Sequence, residues 1–266
     1  MDLLKVLGVS LAIGMGSSSI NAQQLQQETP RKVNIEQSTY ATHRDSIKTY
    51  LGENFIGKEA WEKNIEGIVI QETPLPEIIT PSFLSKREPL HKNKTIGNNY
   101  MLIFIPSEIN GKPLSINEFK KIANDTCKKQ NKKPVIYGYE TGTWYSGEEF
   151  ANQTSQSGEW HLVRKEIAPK TTSKNFENQK KRIAPKQEIK VAGARALTIA
   201  TGMYYLNSGE RIYKYPHTAR TNDTTSGGYR VAMGLSDASG TNLLVSIHDL
   251  RAPNVGLAVE WKLKNR

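Results

Sequence analysis

Tyr100-Met-Leu-Ile-Phe-Ile-Pro106 is a continuously apolar run closed by proline, and no other segment restricts the fold as strongly. A strand that is apolar at every position, not every second one, must be covered on both faces. This chain therefore needs at least one central strand with packing above and below it. Leu102 and Phe104 are the expected centre of the core, with Trp160, Leu197 and Val259 packed around them.

The surrounding pattern is mixed. Lys58–Asn64 reads as a short helix anchored by Trp61, and the prolines at 74, 76 and 81 impose an extended segment after it. Residues 85–99 read as a polar loop. Asn110-Gly111 marks a turn, and Ser115-Ile-Asn-Glu118 has the form of a capping box opening a helix to about Gln130. Val135–Tyr139 and Trp160–Glu166 read as strands. Residues 173–183 read as a short helix with Phe176 and Ile183 inward. Val191–Asn207 is the strongest helix, stopped by Ser208-Gly209. Tyr229–Leu235, Asn242–His248 and Val255–Leu263 then suggest an antiparallel meander. Helices and strands do not alternate as repeated units. The expected fold is a single α+β domain over residues 51–266, with a mainly antiparallel sheet, one long helix and two or three short ones.

The N-terminus places this domain. A short apolar core, Val6 to Gly14, follows Lys5 and leads into a small polar stretch ending at Ala22. Residues 1–22 read as a secretory signal peptide cleaved after Ala22. The apolar stretch is too short to span a bilayer, which takes about 20 residues. The Gln- and Thr-rich residues 23–50 read as a flexible tether. The expectation is an exported protein, in the periplasm, on the cell surface or secreted, with no transmembrane segment in the mature chain. Its single cysteine, Cys127, excludes an internal disulfide and reads as a small buried hydrophobe.

The sequence carries 36 Lys and Arg against 26 Asp and Glu, a formal charge of +10. The cations gather at Lys120–Lys133 and again between Arg164 and Lys190. A basic surface attracts polyanions, which outside the cytoplasm means acidic glycans, lipid head groups or lipopolysaccharide. A solvated Lys-rich face is the plainer reading of the same residues. No nucleic-acid-binding signature is present, and nucleic acid is not an expected partner.

Catalytic patterns are weak. The five histidines, His43, His91, His161, His217 and His248, form no pair at helical ligand spacing, so no metal or other cofactor is expected. His248-Asp249 reads as a polar pair at a strand end. There is no phosphate loop and no nucleophile elbow. Glu140, Glu148 and Glu149 lie in a loop with Trp144 and Tyr145, and with His161 or His217 they would suit a glycan or envelope hydrolase. The favoured reading is a binding domain without catalysis. Its candidate residues are the loop aromatics and cations Trp144, Tyr145, Tyr213, Tyr215, His217 and Arg220, and the basic triplet Lys180, Lys181 and Arg182. The rings either form a binding surface or plug the edge of the domain.

Several longer stretches carry a resemblance. They are Phe55-Ile-Gly-Lys-Glu-Ala-Trp-Glu62, Pro74-Leu-Pro-Glu-Ile78, the segment Leu102 to Leu114, Trp160-His-Leu-Val-Arg-Lys-Glu166, Thr172-Ser-Lys-Asn-Phe-Glu-Asn-Gln179 and Asn254-Val-Gly-Leu-Ala258. In order and spacing they resemble an uncharacterised family from chlamydia-related and other host-associated intracellular bacteria. That resemblance implies one domain from about Leu51 to Lys264 and no catalytic residues; a host protein stands beside acidic glycan and lipid head group among the expected partners. Thr218-Ala-Arg220-Thr departs from the Thr-Arg and following Cys of that family. Gly228-Tyr-Arg-Val231 and Val255-Gly-Leu-Ala258 are in addition similar to the closing strands of C-type-lectin-like domains of the formylglycine-generating type. The paired cysteines of those enzymes have no counterpart here, so this second likeness implies a binding version of that fold.

Overall fold

The computed structural model describes residues 40–137, 143–246 and 251–263. The proposed signal peptide, Glu140 and His248-Asp249 lie outside them. The chain divides into one unit of residues 1–42, of which 40–42 are described and helical, and a second unit from His43 to Arg266.

In chain order the elements are helix α1 (residues 40–51), strand β1 (Phe55–Ile56), α2 (Lys58–Asn64), α3 (Pro81–Leu84), α4 (Ile96–Asn99) and β2 (Tyr100–Ile105). There follow β3 (Glu108–Ile109), β4 (Lys112–Pro113), α5 (Ile116–Lys129), α6 (Glu149–Asn152), β5 (Glu159–Arg164), α7 (Phe176–Ile183), β6 (Ile189–Val191) and α8 (Ala194–Ser208). The chain closes with β7 (Thr218–Thr224), β8 (Arg230–Asp237), β9 (Gly240–Ser246), β10 (Val255–Leu257) and β11 (Val259–Trp261). The fold is α+β. One sheet runs β1-β2-β5-β11-β6 and a second runs β10-β7-β8-β9. Among the described strand pairs of these two sheets, β1–β2 and β10–β7 are parallel and the rest antiparallel.

The apolar run becomes β2, buried at all of its positions. Leu102, Phe104, Leu197 and Val259 are fully buried and Trp160 nearly so, as expected. Helix α8 packs against strands of both sheets, which is why it is buried all round. Gly202 makes its approach to α5 possible, because a Cβ there would stand 2.5 Å from the Phe119 ring. Gly209, at φ 76°, ends α8 in the left-handed conformation glycine adopts without strain. Ser115 caps α5 by accepting from the Glu118 amide at 3.2 Å. Asn110 and Gly111, both at positive φ, make the two-residue turn between β3 and β4. Cys127 is fully buried on α5, and burial pushes its thiol pKa up.

Several expectations about individual elements need correction. Residues 40–50 are helical, not tether. Arg44 is clamped by Glu59 and Glu72, both at 2.6 Å, and Ile47 is fully buried. Val191 belongs to β6, and α8 starts only at Ala194, where Asp223 accepts from the Ala194 amide. The 15-residue α8 is the long helix expected, and the 14-residue α5 is the helix expected after Ser115. Of the expected strand Val135–Tyr139, residues 135–137 are described, and they do not form a ladder strand. Ile136 makes a single bridge to Thr241, and the segment is held by Asn124, whose side chain accepts from the Val135 and Ile136 amides.

A basic cleft beside α7

Helix α7 is short, and its ends explain its stability. Asn175 caps it by accepting from the Asn178 amide at 3.0 Å. Glu177 stands in the first turn and Lys180, Lys181 and Arg182 in the last, each sign placed where the helix dipole favours it. Phe176, Gln179 and Ile183 form the buried stripe. Asn178, Lys181 and Arg182, spaced by three and four, therefore share the outer face.

That outer face is one wall of a cleft of about 460 Å³, lined by Ser173, Lys174, Asn178, Lys181, Arg182 and Arg251. Three chain segments converge there, and buried polar contacts fix each of them. Ser173, at φ 57°, donates its amide to Ala252 O at 2.9 Å, which joins the loop before α7 to the loop carrying Arg251. Gln179 is fully buried and donates Nε2 to Thr171 O and Val255 O, at 2.9 and 3.0 Å. Arg220, also fully buried, donates to Lys174 O, Gln179 Oε1 and Ser246 Oγ. Among the described residues, none of the Lys174, Lys181, Arg182 and Arg251 side chains forms an ion pair. Four like charges thus share one concave surface with no carboxylate among its described lining residues, an arrangement that concentrates positive potential.

The candidate residues separate by location. Lys181 and Arg182 are in the cleft. Lys180 is turned aside, paired with Glu177 at 2.9 Å and set over the Phe176 ring. Arg220 is no surface group; it is the buried brace behind Lys174. Tyr213 and Tyr145 are corrected in the same sense. Tyr213 is buried and donates its hydroxyl to Arg164 O at 2.7 Å, while Tyr145 is buried against Trp144 and Phe150. Trp144 is 48 % exposed, but its indole donates to Leu243 O at 3.2 Å. With the bonds between Thr241 and residues 135–137, it covers the outer edge of β9. Tyr215 and His217 remain exposed, on a loop tied by Asn254 to the loop of Arg251. In the other basic stretch Lys120 is buried, near the Tyr145 ring, and does not face solvent.

Among the described residues, no hydrogen bond or ion pair joins Glu148 or Glu149 to His161 or His217. Glu148 accepts from the Ser226 amide and hydroxyl, at 2.6 and 3.0 Å. His161 is held between two other carboxylates, Glu260 at 2.8 Å and Glu159 at 3.5 Å, and Lys190 pairs with Glu260 at 3.3 Å. Burial opposes the His161 charge, but the carboxylates outweigh it and push its pKa up to about 9. This is an ionic clamp across β5, β11 and β6. A pKa raised by folding means stability that is full below about pH 6.5 and is lost as pH rises through 9. The Glu159 and Glu260 pKa values are lowered, Glu159 mainly by His161 and Glu260 by His161 and Lys190 against the opposing effect of burial, so their share is lost in acid. Denaturant melts from pH 6 to pH 10 should show a loss of roughly 3 kcal/mol attributable to this histidine. His161→Gln should flatten that alkaline slope. An unchanged slope in the variant would show that His161 is not the titrating group.

Sequence reasoning did not find the cleft. Lys174, Lys181 and Arg182 lie in one basic stretch, but their spacing does not separate cleft residues from Lys180. Arg251 lies some seventy positions later, with no local pattern to mark it. Among the described residues there is no group of three side chains suited to a metal ion, and no helix long and apolar enough to cross a membrane. Comparison with protein-family models, with curated proteins and with solved structures found no match.

Proposed function

We propose that this protein is an exported binding domain without a catalytic role, and that the cleft beside α7 holds an acidic ligand. An acidic glycan or a lipid head group fits, and a host protein would have to present an acidic side chain or modification to the same surface. The observation that carries this reading is the convergence of Lys174, Lys181, Arg182 and Arg251, with no carboxylate among the described lining residues. Export rests on the signal-like residues 1–22.

Binding to a sulfated glycan such as heparin, or to vesicles of anionic lipid, should weaken as salt is raised, because screening shortens the reach of each charge. Lys181→Glu combined with Arg182→Glu should lower affinity on the order of tenfold or more, since each such charge is worth roughly 1 kcal/mol. Both residues lie on the outer face of α7, so the circular dichroism and melting temperature should hold. Unchanged affinity in a folded variant would remove the cleft from the function.

A further inference from the structure

We propose that the ligand of the basic cleft is compact and carries two phosphate monoesters on a polyol; this rests on the acidic-ligand reading above and narrows it. Charge is the first argument. Lys174, Lys181, Arg182 and Arg251 bring four positive charges to one cleft. A phosphate monoester carries about −1.5 to −2 near neutral pH, so two of them supply about −3 to −4. Two sulfate esters or two carboxylates would bring only about −2.

Shape is the second argument. Arg182 and Arg251 come from different segments, α7 and the loop before β10, and each offers a planar fork that matches two oxygens of one phosphate. Two forks on separate walls suit two separated phosphates. Ser173 and Asn178 add neutral groups that can both donate and accept, the partners a polyol hydroxyl requires. A volume of about 460 Å³ lies in the range of small-molecule sites. The walls are braced through Gln179, Arg220 and the Ser173–Ala252 bond, so little order has to be gained on binding.

Two sources of this chemistry can be told apart. Calorimetric titration with fructose 1,6-bisphosphate, glucose 6-phosphate and inorganic phosphate tests a soluble ligand. Phosphatidylcholine vesicles carrying either diphosphoryl or monophosphoryl lipid A test a lipid head group with the phosphate number as the only change. In at least one pair the doubly phosphorylated probe should bind about tenfold tighter or more. That preference should be lost in Arg251→Gln and in Lys181→Gln with Arg182→Gln, and kept in Lys121→Gln with Lys128→Gln, exposed positions on α5. Equal binding of one and two phosphates in both pairs overturns the proposal. If heparin binds in a cleft-dependent way and neither bisphosphate competes, the proposal falls while the acidic-ligand reading stands. If no anion binds through the cleft, both fall.

Discussion

Glu88→Ala is expected to destabilise the protein by about 3–5 kcal/mol, the loss seen when one partner of a buried ion pair is removed. Glu88 and Arg164 are both almost wholly buried, with Arg164 Nε donating to Glu88 Oε1 at 2.9 Å. Asn99 donates to the other carboxylate oxygen at 2.8 Å. The rest of the Arg164 guanidinium donates to the carbonyls of Glu166 and Ile167 and lies 3.4 Å from the half-exposed Glu166 carboxylate. Without Glu88 the guanidinium keeps only that weaker, more solvated partner. Chemical denaturation checks the magnitude. The double variant Glu88→Gln with Arg164→Met should recover a large part of the loss, because the uncompensated charge, not the missing contact, is the main cost. A single-variant loss below about 1 kcal/mol would mean that Glu166 or water neutralises Arg164 well enough.

Phe104→Ala is expected to cost a similar amount, about 3–5 kcal/mol, for a different reason. Phe104 is fully buried on β2, 5.4 Å from the Trp160 ring, and its carbonyl accepts from Trp61 Nε1 at 2.8 Å. Truncation removes apolar contact on both sides and leaves a cavity that the strand, paired with β5 through its length, cannot close. Gly158 sharpens the test. A Cβ at Gly158 would run into the Phe104 ring. Gly158→Ala should therefore destabilise the native protein, yet cost much less in the Phe104→Ala background, where the space is empty. A double-mutant cycle with no coupling would show that the two do not share that space.

Phe104 was readable in advance because its strand is apolar at every position, and α2 and α5 were readable because caps and anchors lie within a few residues of one another. β7 was not. Thr218-Ala-Arg-Thr-Asn-Asp-Thr224 has no apolar alternation, yet Thr218, Arg220 and Thr221 are buried. Arg220 is satisfied by Ser246, Lys174 and Gln179, and Thr221 donates to Val231 O. Polar burial of this kind depends on partners supplied by other segments, so no local pattern announces it. The expected meander stops at β9, because the third strand pairs in parallel with β7 and then leaves the sheet at Ala258. Ala258 N donates to Arg220 O and its carbonyl accepts from Ala192, so one apolar stretch passes from the second sheet to the first. Its first half pairs with β7 and its second half runs between β5 and β6.

The candidate site divides in the same way. The clustering of cations before and along α7 and the inward Phe176 and Ile183 follow from the sequence alone, because each depends on neighbours within one or two turns. Which of those cations face a common cleft was decided by tertiary structure. Arg251 reaches Lys174 and Arg182 only because Ser173 and Ala252 share a hydrogen bond and Gln179 joins the segment after β5 to β10. Tyr145, Tyr213 and Arg220, which composition alone places among loop residues, were drawn inward where a ring or a guanidinium found an internal partner. Local interactions therefore specified the helices, the central strand and the charge of the surface. The long-range pairing of polar groups, whose desolvation must be matched partner by partner, specified which of those charges confront one another.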